Sequence, residues 1–142
     1  MNTDIYQDSI IEWSKRNEHE GPLLDEDCRA TMNNPLCGDR VSVELRLKGE
    51  GILEMGHQVK GCVLCKASSA HLAALAKGLT LDNMKSMRQD LDRALKATED
   101  DTHDFPESHE IFRPVRSHKS RHSCVLLVYD TVIEALSSYR IS

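Results

Sequence analysis

Residues 41–78 read VSVELRLKGEGILEMGHQVKGCVLCKASSAHLAALAKG, and this stretch decides the fold. Val41, Val43, Leu45 and Leu47 alternate with Ser42, Glu44, Arg46 and Lys48, the period of two that marks a strand with one buried face. Gly49-Glu50-Gly51 supplies a tight turn, and Ile52 to Lys60 reads as one or two further antiparallel strands. After Gly61 the period changes. Cys65, Leu72, Leu75 and Ala76 fall on about one helical face among alanines that favour helix, and Gly78 stands where helices stop.

Working outward, Thr80 can cap a second helix with Met84, Met87, Leu91 and Leu95 at helical spacing, the two methionines being most simply core residues. Residues 99–110 are acidic and irregular, with Pro106 among them. A final helix begins near Cys124 and buries Val125, Val128, Val132 and Leu136. On the other side, Ile5, Ile10, Ile11 and Trp13 predict a short helix from about Thr3 to Arg16. A charged loop follows it and ends in the turn signal Asn33-Asn34-Pro35. Strands first and helices later predict one α+β domain over residues 1–142, with helices on one face of a small antiparallel sheet.

Composition narrows the function. The 142 residues are 39% apolar and 29% charged, with a formal net charge of -5, which argues against a nucleic-acid footprint. The basic run Arg113-Pro114-Val115-Arg116-Ser117-His118-Lys119-Ser120-Arg121-His122 could meet phosphate, but it leads straight into Cys124 and is read with that cysteine. The first residues carry Asp4, Asp8 and Glu12 and lack an apolar signal core. The apolar run Cys124–Tyr129 is too short to span a bilayer, so the expectation is a cytoplasmic protein with no membrane contact. Five cysteines in a reducing compartment point to metal binding or thiol chemistry rather than disulfides.

Cys37, Cys62 and Cys124 sit at the joints of this layout, before the first strand, at the start of a helix and at the start of the last helix. Loop ends and helix N-termini stabilise a thiolate through backbone amides and the helix dipole. Three thiolates brought to one point want a cation, and Cys37-Gly38-Asp39 puts a carboxylate within reach of the same ion. The plainer alternative is three small buried side chains.

Together these motifs resemble the IscU/NifU-like iron–sulfur cluster assembly proteins. The matching pieces are Asn34-Pro35-Leu36-Cys37-Gly38-Asp39, Gly61-Cys62 followed by Ala67-Ser68-Ser69, and Cys124 before an apolar helix. The long interval between Cys62 and Cys124 looks like the insertion of the SufU branch, at about residues 80–112, and Arg121 matches an arginine of SufU-like proteins. The Leu-Pro-Pro-Val-Lys chaperone motif of housekeeping IscU proteins is missing, and Ser123 stands where they carry a histidine.

The resemblance implies an IscU/SufU-like fold with a three-stranded sheet, and a zinc site made by Cys37, Asp39, Cys62 and Cys124. It implies a partner, a pyridoxal-phosphate cysteine desulfurase of the SufS type, one of whose histidines can displace a thiolate from zinc. Cys37 is then the persulfide acceptor, and Arg121 could steady its charge. Downstream iron–sulfur assembly proteins would be the further partners. Three readings follow: a zinc-dependent sulfur acceptor with no independent activity, a scaffold for a [2Fe–2S] cluster or iron on the same residues, and an adaptor in which zinc only holds the fold.

Several residues depart from the pattern or compete for the site. Cys65 makes a C-x-x-C with Cys62 and is either an additional thiolate or a core residue; no βαβ pattern precedes it to support a thioredoxin-like role. Lys66 adds positive charge nearby. Cys28 follows Asp25, Glu26 and Asp27, which should raise its pKa and make it a bystander. His57, His71 and His122 are possible ligands, with His122 nearest to Cys124 in sequence.

Overall fold

The computed structural model describes residues 8–36, 38–97 and 105–141, and its elements follow the sequence periodicities closely. Helix α1 spans Asp8–Ser14, and strands β1 (Cys28–Asn33), β2 (Arg40–Lys48) and β3 (Gly51–Lys60) form an antiparallel sheet in the order β1-β2-β3. Helices α2 (Val63–Leu75), α3 (Leu81–Lys96) and α4 (His122–Ile141) follow, with 3-10 turns at Glu107–Ser117 and Lys119–Arg121 before α4. The N-terminal part of the expected first helix, up to residue 7, and residues 98–104 of the acidic stretch lie outside the described residues.

Val41, Val43 and Leu45 of β2 face the core, and across β3 they stand opposite Val59, His57 and Met55. A register shift between Arg46 and Leu47 lets Leu47 pair with Ile52, so Ile52 to Lys60 forms one strand. Helices α2 and α4 pack over this face, and α4 lies across β1 and β2. In α2 the apolar stripe widens until Leu64, Cys65, Ala67, Ala70, Leu72 and Ala73 are all buried, whereas Leu75 is 37% exposed, so the single face expected of that helix is replaced by burial almost all round. The helix ends before Gly78, whose φ of 90° suits glycine alone. The Thr80 hydroxyl accepts from Asn83 N–H while the Asn83 side chain accepts from Thr80 N–H, a reciprocal cap that starts α3. Met84 is fully buried and Met87 partly so.

Two elements differ from the sequence expectation. The loop read before Asn33 contains β1, an edge strand paired with β2 from Cys28↔Leu45 to Asn33↔Arg40. Its inward residues are Cys28, Ala30 and Met32, each only half-buried, so the apolar alternation is too weak to announce a strand. Part of the irregular acidic stretch and the basic run that follows it form the 3-10 turn Glu107–Ser117. There Arg113 pairs with Glu110, and Arg116 donates from Nε to the Ala94 carbonyl at 2.8 Å and stacks on Phe105. These arginines serve the fold. Among the described residues no helix is long and apolar enough to cross a membrane.

Candidate metal centre

Between β1 and β2 stand Asn34, Pro35, Leu36, Gly38 and Asp39 of the Asn-Pro-x-Cys-Gly-Asp motif. Asn34 organises the turn. Its Oδ1 accepts from Leu36 N–H at 3.0 Å, its carbonyl accepts from Gly38 N–H at 2.8 Å, and its own N–H donates to the Asp39 carbonyl at 2.8 Å. Gly38 has φ of 74°, a left-handed conformation that other residues seldom adopt. Asp39 emerges from the turn with only 2% exposure and reaches across to the start of α2.

There Cys62 meets it twice. Cys62 N–H donates to Asp39 Oδ1 at 3.0 Å and its Sγ–H to Oδ2 at 3.3 Å. Gly61 permits this approach, because a Cβ at that position would sit 2.3 Å from Asp39 Oδ1 and 2.7 Å from its Cγ. Cys62 is also the N-cap of α2, its sulfur accepting from Cys65 N–H at 3.4 Å. Cys124, fully buried in the first turn of α4, completes the group: ligand atoms of Asp39, Cys62 and Cys124 all lie within 4.8 Å of one another.

The electrostatics suit a cation. A hydrogen bond from Cys124 and the Cys65 N–H draw the Cys62 thiol down from 9.0 to about 7, against burial and the Asp39 carboxylate, which push it up. A buried carboxylate and two sulfurs this close cannot all be ionised without a positive charge among them. One hard oxygen and two thiolates are a donor set that zinc accepts and that iron–sulfur chemistry can also use, so the residues present fit a metal.

Of the expected site residues, the structure therefore brings Asp39, Cys62 and Cys124 together. Cys37 lies outside the described residues. Arg121 ends the 3-10 turn Lys119–Arg121, its N–H bonded to the His118 carbonyl at 2.9 Å, three residues ahead of Cys124. Cys65 packs in the hydrophobic core and is not a member of the metal group. Lys66 is exposed and lines a small cavity with Arg16, Glu20 and His57.

The competing histidines have other places. His122 Nε2 faces the carbonyls of Val115 and Arg116 at 3.1 and 3.0 Å, tying the long 3-10 turn to α4. His57 is buried on the core face of β3 opposite Val43, and burial lowers its pKa. His71 stacks edge-on against Trp13, His109 and Phe112, and burial lowers its pKa as well. Cys28 is raised to about 11, chiefly by burial and then by Asp27, so the charge expected to dominate comes second.

Two features escaped sequence reading. Asn34 Nδ2 donates to Ser123 Oγ at 2.7 Å, joining the hairpin loop to the residue before Cys124. His109 bridges Ser108 and Tyr129 inside the aromatic cluster. No motif announces either one, because each pairs residues whose meeting depends on the whole fold.

The sequence model of the NifU-like N terminal domain family matches residues 5–141. The chain belongs to that family. This NifU-like chain is 26% identical over 124 residues to the zinc-dependent sulfurtransferase SufU of Bacillus subtilis, covering 87% of the chain and 83% of that protein. It is 27% identical over 86 residues to each of two proteins of Archaeoglobus fulgidus, the iron–sulfur cluster assembly scaffold proteins IscU 1 and IscU 2. Those matches cover 61% of the chain and 56% of the scaffold proteins, little more than half their length. Among solved structures, an N-terminal NifU-like protein from Brucella abortus superposes with a TM-score of 0.86 at 31% identity, covering 97% of this chain and 96% of that one. A structure described as an iron–sulfur cluster assembly scaffold protein for the SUF system, from Fervidobacterium islandicum AW-1, superposes at 0.81 with 23% identity, covering 93% and 96%, and shows the shared fold. The relatives of this NifU-like chain thus include iron–sulfur cluster assembly scaffold proteins of the IscU type and a sulfurtransferase of the SufU type.

Proposed function

We propose that the protein is a zinc-dependent sulfur acceptor in iron–sulfur cluster assembly, belonging to the SufU branch and working in the cytoplasm with a cysteine desulfurase. The observation that carries this reading is the buried convergence of Asp39, Cys62 and Cys124, with Cys62 drawn toward its thiolate. The likeness to the Bacillus subtilis zinc-dependent sulfurtransferase, which covers 87% of the chain, supports the choice of metal. Residues 1–142 form one domain on this reading, with about 80–112 as its branch insertion.

Asp39, Cys62, Cys124 and Cys37 would hold the zinc, which when bound keeps the thiols deprotonated at neutral pH. The chain's own residues do the rest. Asp39 fixes the start of α2 through Cys62 N–H, and the dipoles of α2 and α4 favour negative sulfur at Cys62 and Cys124. Cys37 is the acceptor: its thiolate attacks the outer sulfur of the desulfurase persulfide, the donor S–S bond breaks, and the donor leaves as a thiolate while Cys37 becomes the persulfide. No oxidant is consumed. Arg121, near Cys124 in sequence, steadies the added negative charge. The protein catalyses nothing alone, and the sulfur passes on to downstream assembly proteins.

The test is cysteine turnover by a desulfurase with and without the protein, followed by mass spectrometry of Cys37. Stimulated turnover and a persulfide on Cys37, both lost in Cys37→Ala, are expected. Full stimulation by Cys37→Ala contradicts the reading. A scaffold carrying a [2Fe–2S] cluster as cargo is the second reading, favoured by the names of the Archaeoglobus relatives, and a stable coloured cluster after anaerobic reconstitution would support it over the first.

A further inference from the structure

We infer that Asn34 and Ser123 form a clamp that sets the distance between Asp39 and Cys124, making Ser123 a positioning residue for the metal centre. The inference rests on the metal-site reading above. Two of the converging residues are already locked together, since Cys62 N–H binds Asp39 Oδ1 and Gly61 leaves no slack between them. Cys124 arrives separately, on a helix whose start is 89 residues from Asn34 in sequence.

Asn34 joins these two halves. It is 5% exposed, and each of its polar groups is engaged: the backbone N–H with the Asp39 carbonyl, the carbonyl with Gly38 N–H, Oδ1 with Leu36 N–H, and Nδ2 with Ser123 Oγ at 2.7 Å. Asn34 thus bonds through its backbone N–H to the residue that presents a carboxylate, and through its side-chain amide to the immediate neighbour of Cys124. A shift of α4 along its axis would break the part-buried Ser123 bond. Serine suits the position because its hydroxyl accepts from the amide N–H. Ser123 and Leu36 also line a cavity of about 570 Å³ together with Arg88, Asp92, Lys96 and Asp130, so the clamp borders open space.

Groups that orient metal ligands without touching the metal change affinity by roughly ten-fold to a hundred-fold when removed. The test is an anaerobic cobalt(II) titration of the metal-free full chain, wild type beside Ser123→Ala, Ser123→Thr and Leu136→Ala. Thiolate-to-cobalt absorption reports the ligand set, and competition with a chelator reports affinity and release rate. Wild type binds one cobalt with thiolate absorption. Ser123→Ala binds about ten-fold more weakly and releases faster, with an altered spectrum, and Ser123→Thr restores both. Leu136→Ala removes core packing at the far end of the same helix, and leaves the spectrum as in wild type, which separates the clamp from a general loss of stability. Wild-type affinity and release in Ser123→Ala overturn the clamp. A wild-type chain that takes up no cobalt overturns the metal-site reading and the clamp with it.

Discussion

Asp39 is the residue on which the proposed metal centre turns, and its position depends on a neighbour with no side chain. A Cβ on residue 61 would lie 2.3 Å from Asp39 Oδ1 and 3.0 Å from its Cβ, and a short buried side chain has nowhere to rotate. Gly61→Ala should therefore cost about 1–3 kcal/mol in chemical denaturation and weaken metal retention in the same protein. Cys62 offers a second test. Its thiol is drawn to about 7 in the metal-free chain, so its thiolate should form, and its alkylation accelerate, as pH rises through 7 rather than 9. Single-residue motifs were legible where chemistry is local: Asp39 two residues after Cys37, and Cys62 after Gly61. The Asn34–Ser123 bond was not, because its partners are 89 residues apart and each looks like an ordinary turn or helix-start residue.

At the scale of elements, β2 was readable because its apolar residues alternate strictly with polar ones, and α4 from Val125, Val128, Val132 and Leu136, although that helix is buried nearly all round. Strand β1 was not, since Cys28, Ala30 and Met32 give a faint stripe and the strand's stability comes from pairing with β2 and from α4 above it. The long 3-10 turn was hidden by Pro114 and by charges that pair within it. That turn is pinned to the rest by the buried cluster of His71, His109, Phe112 and Tyr129 beside Trp13. Burial holds both histidines neutral, with His109 lowered to about 4 from an ordinary 6.5 by burial and by His71. The unfolded chain thus binds more protons than the folded one between those values. Stability is fully present above pH 6.5 and falls as pH drops toward 4, by roughly 3 kcal/mol through His109. Urea midpoints of the metal-free chain at pH 7 and pH 4.5 should differ in that sense, and His109→Phe should shrink the difference.

Over the whole molecule, the fold gathers on one point the ends of three elements far apart in sequence: the β1–β2 loop, the start of α2 and the start of α4. The NifU-like family match, over residues 5–141, takes in all three. If the proposed centre holds these three elements, chelation of its metal should loosen them together and lower the thermal midpoint cooperatively rather than melt one loop. The most direct measurement is the metal content of the purified chain by elemental analysis, on wild type, Asp39→Ala, Cys62→Ser and Cys65→Ser side by side. About one zinc per chain in wild type and Cys65→Ser, with little in Asp39→Ala and Cys62→Ser, is the expected result. Zinc retained in Asp39→Ala and Cys62→Ser, or no metal in wild type, would contradict the proposed centre.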